Sequence, residues 1–280
     1  MVIAVGGNAL VDPGDPVDAG HQRRTLARAV PALAAAIGDR PAVLTHGNGP
    51  QVGQLAALAR AAHDLEPLDV LDALSQGMIG YLIEEELSAQ LPDRSVVSVL
   101  TRVEVDAGDP AFTRPTKPVG QKGTGRPRHL VPSPEPLRIV ELEAIRTLVA
   151  AHHLVVALGG GGVPVAVDGQ GHRRGVEAVV DKDLASSLLA VALDAELLVL
   201  LTDVDAVESG WGGPHPQALG AVGVDDLDPS TFESGSMRPK VEAARRFVMA
   251  TGRRAAIGAL SDVGAVVRGD RGTQVRRAPG

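Results

Sequence analysis

The chain has 280 residues, 44% of them apolar and only 2% aromatic, with a net charge of −7 and no cysteine. That length buries a sizeable core without staples, the missing thiols exclude disulfides and thiolate metal sites, and basic residues scattered as short pairs such as Arg23-Arg24 and Arg253-Arg254 exclude nucleic acid as an expected partner. No apolar run approaches the ~20 residues of a membrane helix, so a soluble, cytoplasmic protein with no membrane partner is expected, its core built from Ala, Val, Leu and Ile.

The first apolar run, Val2 to Val5, reads as a strand that ends at Gly6-Gly7-Asn8. Leu26, Val30, Leu33 and Ile37 recur at helical spacing within a segment starting at His21. A second strand, Ala42 to Thr45, stops at His46-Gly47-Asn48-Gly49-Pro50, where a helix carrying Val52, Leu55 and Leu58 begins, and a long helix covers Leu68 to about Leu91. Val96 to Val105 is rich in β-formers. From Asp106 to Pro136 the chain is crowded with Pro, Gly and Arg, which predicts loop or hairpin outside the alternating pattern. A helix over Glu141 to Ala151, a strand over Leu154 to Leu158 and the run Gly159 to Gly162 follow. The last part holds helices from Asp183 to Leu193 and Val241 to Thr251, a strand from Glu196 to Thr202, and closing strands near Ala255 and Gln274. Strands alternating with helices predict a mainly parallel open sheet between two helical layers, a three-layer αβα sandwich. The boundary between an N-terminal lobe, 1–175, and a C-terminal lobe, 176–280, is expected near Gly175.

Three glycine-rich turns follow strands, at Gly6, Gly47 and Gly159. Glycine permits close backbone approach, and helix N-termini carry partial positive charge, so such turns can direct N–H groups at an anion. Each alone reads as a tight connection; on one carboxyl edge of a sheet they form a shared cradle. A Walker P-loop and a GxGxxG fingerprint are both absent, and no His and carboxylate spacing resembles a zinc site. His46 reads as a packing or hydrogen-bonding histidine rather than a general base.

Lysine usage is informative. Of 27 basic residues only Lys117, Lys122, Lys182 and Lys240 are lysine. An ammonium differs most from a guanidinium fork where a phosphoryl group must be met at close quarters. Lys122, beside Gly123, reads as a solvated loop charge. Lys182 stands between Asp181 and Asp183 at the start of a helix, and Lys240 occupies the first turn of another, where the macrodipole disfavours a cation unless an anion lies between them. Lys240 therefore predicts a bound anion, most simply a phosphate.

Ten blocks in order, GGNAL at Gly6, HGNGPQVG at His46, SQGMIGY at Ser75, VDAGDPAF at Val105, PTKPVG at Pro115, VPSPEP at Val131, GGGGVPV at Gly159, GVEAVVDKDLAS at Gly175, LLTDVDAV at Leu200 and GSMRPKVEAA at Gly235, resemble the carbamate kinases of the amino acid kinase family over nearly the whole length. The resemblance implies reversible phosphoryl transfer between ATP and carbamate, with Mg²⁺ borne by the nucleotide, no protein-held metal, and a homodimer. It implies that Gly6, Gly7, Asn8, Gly47, Asn48 and Gly49, with Gly160 and Gly161 of the third turn, hold carbamate and the transferred phosphoryl group. Lys182 and Lys240 would contact phosphates, Asp183 would orient both, and Lys117 would reach in from a lid. Thr202, Asp203, Val204 and Met237 would border the nucleoside. Apart from the resemblance, Trp211 in the Gly-rich loop from Gly210 to Pro214 has two readings, a ring stacked near adenine and an exposed loop aromatic. Carbamate is already an anion, so a missing catalytic histidine is expected.

One departure stands out. The family's lid between PTKPVG and VPSPEP is reduced here to Gln121 through Leu130, without a tryptophan, so a wetter site and a smaller role for Lys117 are expected. Two other readings are a kinase of the same fold acting on another small acid, and a non-catalytic nucleotide-binding paralogue.

Overall fold

Strands whose residues are apolar at every position must be covered on both faces, and the first strand shows how. In the computed structural model, which describes residues 1–11, 15–62, 66–120, 129–210, 216–232 and 237–277, Val2 and Ala4 face one hydrophobic core while Ile3 and Val5 face another on the opposite side of the sheet. The same alternation divides Leu198 and Leu200 from Leu197, Val199 and Leu201. The sheet has eight strands in the order Ala221–Gly223, Thr273–Arg276, Arg254–Ala259, Leu197–Thr202, Val2–Val5, Val43–His46, Leu154–Ala157, Val96–Ser98. Six are parallel, and Thr273–Arg276 with its neighbour Ala221–Gly223 runs opposite at one edge.

Helices α1 (Ala19–Ile37), α2 (Gly49–Ala61), α3 (Leu68–Gln90), α4 (Leu142–Ala150), α5 (Lys182–Ala192), α6 (Met237–Thr251) and α7 (Val263–Arg268) complete the layers. Leu26, Val30 and Leu33 of α1, Ile79, Leu82 and Ile83 of α3 and Val263 of α7 cover one face. Ile145 of α4, Ala185 and Leu189 of α5, and Val241, Ala244 and Phe247 of α6 cover the other. This is the expected αβα sandwich, and Phe247 is the one aromatic among the largest fully buried side chains.

Helix starts are set by local chemistry. Asp18 caps α1 by accepting from the His21 N–H at 2.9 Å, and Asp181 caps α5 through the N–H groups of Asp183 and Leu184 at 2.9 and 3.3 Å. Helix α6 begins at Met237, four residues before the expected Val241; Pro239 falls in its first turn, where a missing N–H costs nothing. The β-rich stretch Val96 to Val105 divides between two sheets. Its first half, Val96–Ser98, ends the large sheet, and Arg102–Glu104 joins a second sheet with Val163–Val167, Arg173–Gly175 and Arg138–Ile139. The Pro- and Gly-rich segment contains a hairpin of Lys117–Val119 with His129–Val131, and Asp109 pins its far end by accepting from the Glu135 N–H at 2.9 Å.

Candidate active site

Three adjacent strands of the large sheet, Val2–Val5, Val43–His46 and Leu154–Ala157, end in the three glycine turns, so parallel packing alone brings those turns to one edge. They are in close contact. The Gly47 N–H donates to the Val5 carbonyl at 2.9 Å, and a Cβ on Gly47 would lie 2.5 Å from the Gly7 nitrogen. Gly160 adopts φ 69° and turns its bare Cα toward the Asn48 amide, where a Cβ would collide. Gly161, at φ 101°, leaves room for the Val180 carbonyl, 2.7 Å from where its Cβ would be, which seats the chain entering α5.

The turns open into a cleft of about 190 Å³ lined by Gly6, Gly7, Gly47, Asn48, Gly49, Gly160, Lys117, Lys182, Asp183, Lys240, Thr202 and Asp203. Three of the four lysines in the chain thus converge on the glycine turns. Val52, Val119, Val179 and Val180 supply an apolar wall, and Asp181 completes the rim. Gly161 supports the site from behind, while Val204 and Met237 do not line the cleft; Met237 packs on the hydrophobic core. Asn8 lies in the short 3-10 turn Gly7–Leu10. Trp211, Lys122 with the rest of the lid segment 121–128, and Gly235-Ser236 lie outside the described residues.

Asp183 is the hub of the charges. Its Oδ1 accepts from the Lys182 ammonium and its Oδ2 from the Lys240 ammonium at 3.2 Å, so the anion that answers Lys240 in this structure is a side chain. Burial opposes the charge on Asp183, but the two lysines outweigh it and hold the carboxyl far below the usual range. Burial pulls Lys182 below an ordinary lysine, with Lys240 adding to the effect and Asp183 opposing it. Lys117 pairs with Asp181; burial works against its charge too, yet Asp181 and Asp183 prevail and raise its pKa. The hairpin carrying Lys117 is held against α2: the Gly120 N–H donates to the Gly49 carbonyl at 3.3 Å, and Gly53 leaves no room for a Cβ beneath Gly120.

A network that the sequence reading missed lies behind the turns. Asn48 donates through Nδ2 to Asp72 Oδ1 and to Ser75 Oγ, the latter at 2.7 Å. Gln76 donates to the carbonyls of Gly159 and Thr101 at 3.0 and 3.3 Å and accepts from the Thr101 N–H at 2.5 Å. Glu177 caps α3 by accepting from the Leu68 N–H at 2.9 Å. The spacing of Asp72, Ser75 and Gln76 on one helix was the available signal, since polar residues at i, i+3 and i+4 of a buried face need partners. His46 is buried beside the Gly47 carbonyl, and burial, with Lys182 adding, lowers its pKa to about 4, so it is neutral at neutral pH, as expected for a packing histidine. Among the described residues no cluster of His, Cys, Asp and Glu could hold a metal ion, and no helix is long and apolar enough to cross a membrane.

The model of the amino acid kinase family matches residues 1–259. The chain belongs to the amino acid kinase family. Among curated members of the family it is 46% identical to a carbamate kinase of Rhizobium meliloti, covering 98% of this chain and 92% of the relative. It is 44% identical to a carbamate kinase of Escherichia coli, with 98% of each covered. Among solved structures, the carbamate kinase of Giardia lamblia bound to AMP-PNP superimposes with a TM-score of 0.91 at 34% identity, covering 99% of this chain and 98% of the other. Isopentenyl phosphate kinase, at a TM-score of 0.59 and 18% identity, shares the fold alone.

Proposed function

We propose that the protein is a carbamate kinase that transfers a phosphoryl group reversibly between MgATP and carbamate. The observation that carries this reading is the convergence of Lys117, Lys182 and Lys240 on the three glycine turns in one small cleft. Phosphoryl transfer through a loose transition state demands little covalent chemistry of the protein. What it demands is neutralised charge between two anions and an in-line arrangement.

The residues divide accordingly. N–H groups of the three glycine turns, apart from the Gly47 N–H already spent on Val5, would receive the carbamate and the migrating phosphoryl group, and the side chain of Asn48 borders the carbamate. Lys182 and Lys240, which line the cleft, would contact the phosphates of the nucleotide. Asp183 holds their ammoniums apart in register, which limits reorganisation as charge moves in the transition state. Lys117 approaches from the hairpin with Asp181 as its tether. Carbamate needs no deprotonation to attack, so a buried neutral His46 has no step to perform. Mg²⁺ arrives on the nucleotide and neutralises phosphate charge there. We assign 1–175 to the acid substrate and 176–280 to the nucleotide, with Thr202 and Asp203 at its nucleoside end.

A cytoplasmic homodimer fits this reading. Val70, Leu74 and Tyr81 are exposed along α3, with exposed Leu58 nearby in sequence on α2, and a second copy would cover that stripe; a monomer by sedimentation would refute this. The test of the activity is ATP formation from carbamoyl phosphate and MgADP in a coupled assay. Far better use of another phosphorylated acid would refute the carbamate assignment.

A further inference from the structure

Asn48 lines the cleft, yet both hydrogens of its amide nitrogen are used behind it. One goes to Asp72 Oδ1 and the other to Ser75 Oγ. The Ser75 hydroxyl spends its own hydrogen on the Asp72 main-chain carbonyl at 2.8 Å, so toward Asn48 it offers only lone pairs. An ionised carboxylate likewise only accepts. The amide lies flat against Gly160, which has no Cβ to push it aside. Its remaining atom, Oδ1, has no hydrogen-bond partner among the described residues. Asp72 itself is 1% exposed, and its second oxygen, Oδ2, is buried without a partner. Nothing in the packing of α3 requires a carboxylate there; an apolar side chain would avoid that cost.

We propose that Asp72 is a positioning residue for specificity, which locks Asn48 with its carbonyl toward the cleft and so selects an acid bearing an N–H donor over one bearing a methyl group. The inference rests on the carbamate reading, because carbamate presents an NH₂ beside its carboxylate and acetate presents a methyl. A site that accepts a hydrogen bond from substrate discriminates against the analogue that leaves its buried acceptor unpaired.

The lock depends on the charge of Asp72. Burial, with Asp69 one turn back on α3 adding to it and the Asn48 hydrogen bond opposing, pushes its pKa up to about 7. Among the described residues the charged group acting on it is Asp69; the loop before α2 faces it with the neutral Asn48. A protonated Asp72 donates as well as accepts, so it no longer excludes the amide turned by half a revolution, with NH₂ toward the cleft and the Ser75 hydroxyl hydrogen turned to Oδ1. Selectivity is therefore present above the pKa of Asp72 and lost as pH falls through it.

The test compares kcat/KM for ATP formation from carbamoyl phosphate and from acetyl phosphate, with MgADP, between pH 6 and 8.5. For the wild type the carbamoyl-to-acetyl ratio falls about tenfold toward pH 6, the worth of one neutral hydrogen bond. In Asp72→Leu the ratio at pH 8 drops by about tenfold or more. In Asp72→Asn, which like the protonated acid both accepts and donates, the ratio stays near the low-pH value of the wild type and is flat with pH. Equal losses on both substrates in the variants, or a wild-type ratio independent of pH, overturn the proposal; if Asp72→Leu does not fold, the wild-type profile and Asp72→Asn decide it. Wild-type protein that makes no ATP from carbamoyl phosphate but does so from acetyl phosphate instead overturns the carbamate reading itself.

Discussion

Replacing Asp183 by Asn tests whether a buried carboxylate holds the phosphate-binding lysines. The change keeps shape and one acceptor but removes the charge between Lys182 and Lys240. At the 3.2 Å separation of Lys240 Nζ from Asp183 Oδ2, one ion pair is worth about 5 kcal/mol at an effective dielectric constant of 20. Relaxation and water entry reduce this, and breaking buried pairs costs about 3–5 kcal/mol in practice. If about 3–4 kcal/mol of that appears in the transition state, kcat falls by about 10²–10³. The pH profile carries a second signature. Lys182 is already pulled below an ordinary lysine by burial and by Lys240, with Asp183 opposing, and its ammonium is present below its pKa and lost as pH rises through it. Without Asp183 the ammonium loses the charge that favours it, so the alkaline limb of activity moves to lower pH. Steady-state ATP formation from carbamoyl phosphate between pH 6 and 10, on protein shown to be folded by its thermal transition, measures both. Near wild-type kcat with an unmoved alkaline limb would refute the reasoning.

Lys182→Arg and Lys240→Arg keep the charge but place a planar fork where a compact ammonium fits, and most activity is expected to disappear in each; near wild-type turnover contradicts this. Lys117, whose side chain is 30% exposed against 11% and 9% for Lys182 and Lys240, sits in wetter surroundings, so Lys117→Ala costs about 1–2 kcal/mol in barrier against about 3–4 for alanine at either of the others. Equal losses at all three positions mean that the short lid still seals the site. Gly160→Ala introduces a Cβ at φ 69° into the Asn48 amide, and carbamoyl phosphate turnover falls at least about tenfold through strain and displacement; unchanged kinetics would show that the turn yields freely. Arg94 donates to the carbonyls of Gly38, Arg40 and His152 at 2.7, 2.9 and 3.3 Å, tying the end of α1 to the chain after α4. Arg94→Ala loses about 2 kcal/mol in urea unfolding with kcat unchanged, and unaltered stability would deny the staple its role.

Order of strands and helices, both-face burial of the sheet, the three glycine turns and the suspicion attached to Lys117, Lys182 and Lys240 were all legible in the sequence. These properties are local: periodicity and turn chemistry act over a few residues, and parallel crossovers send successive strand ends to one edge. The pairing of Lys117 with Asp181 and the bonds from Asn48 to Asp72 and Ser75 were not legible. Each joins elements brought together only by tertiary packing, Lys117 and Asp181 across 64 positions and Asn48 to Asp72 across 24. Val96 to Val105 was legible as rich in β-formers, but β propensity says nothing about which sheet a residue joins; backbone partners split it between two. Lys240 illustrates the division most sharply. The helix dipole required an anion near it, which the sequence could state, but a buried aspartate 57 positions away supplies one, because only the packing of α5 against α6 sets the distance over which those charges meet.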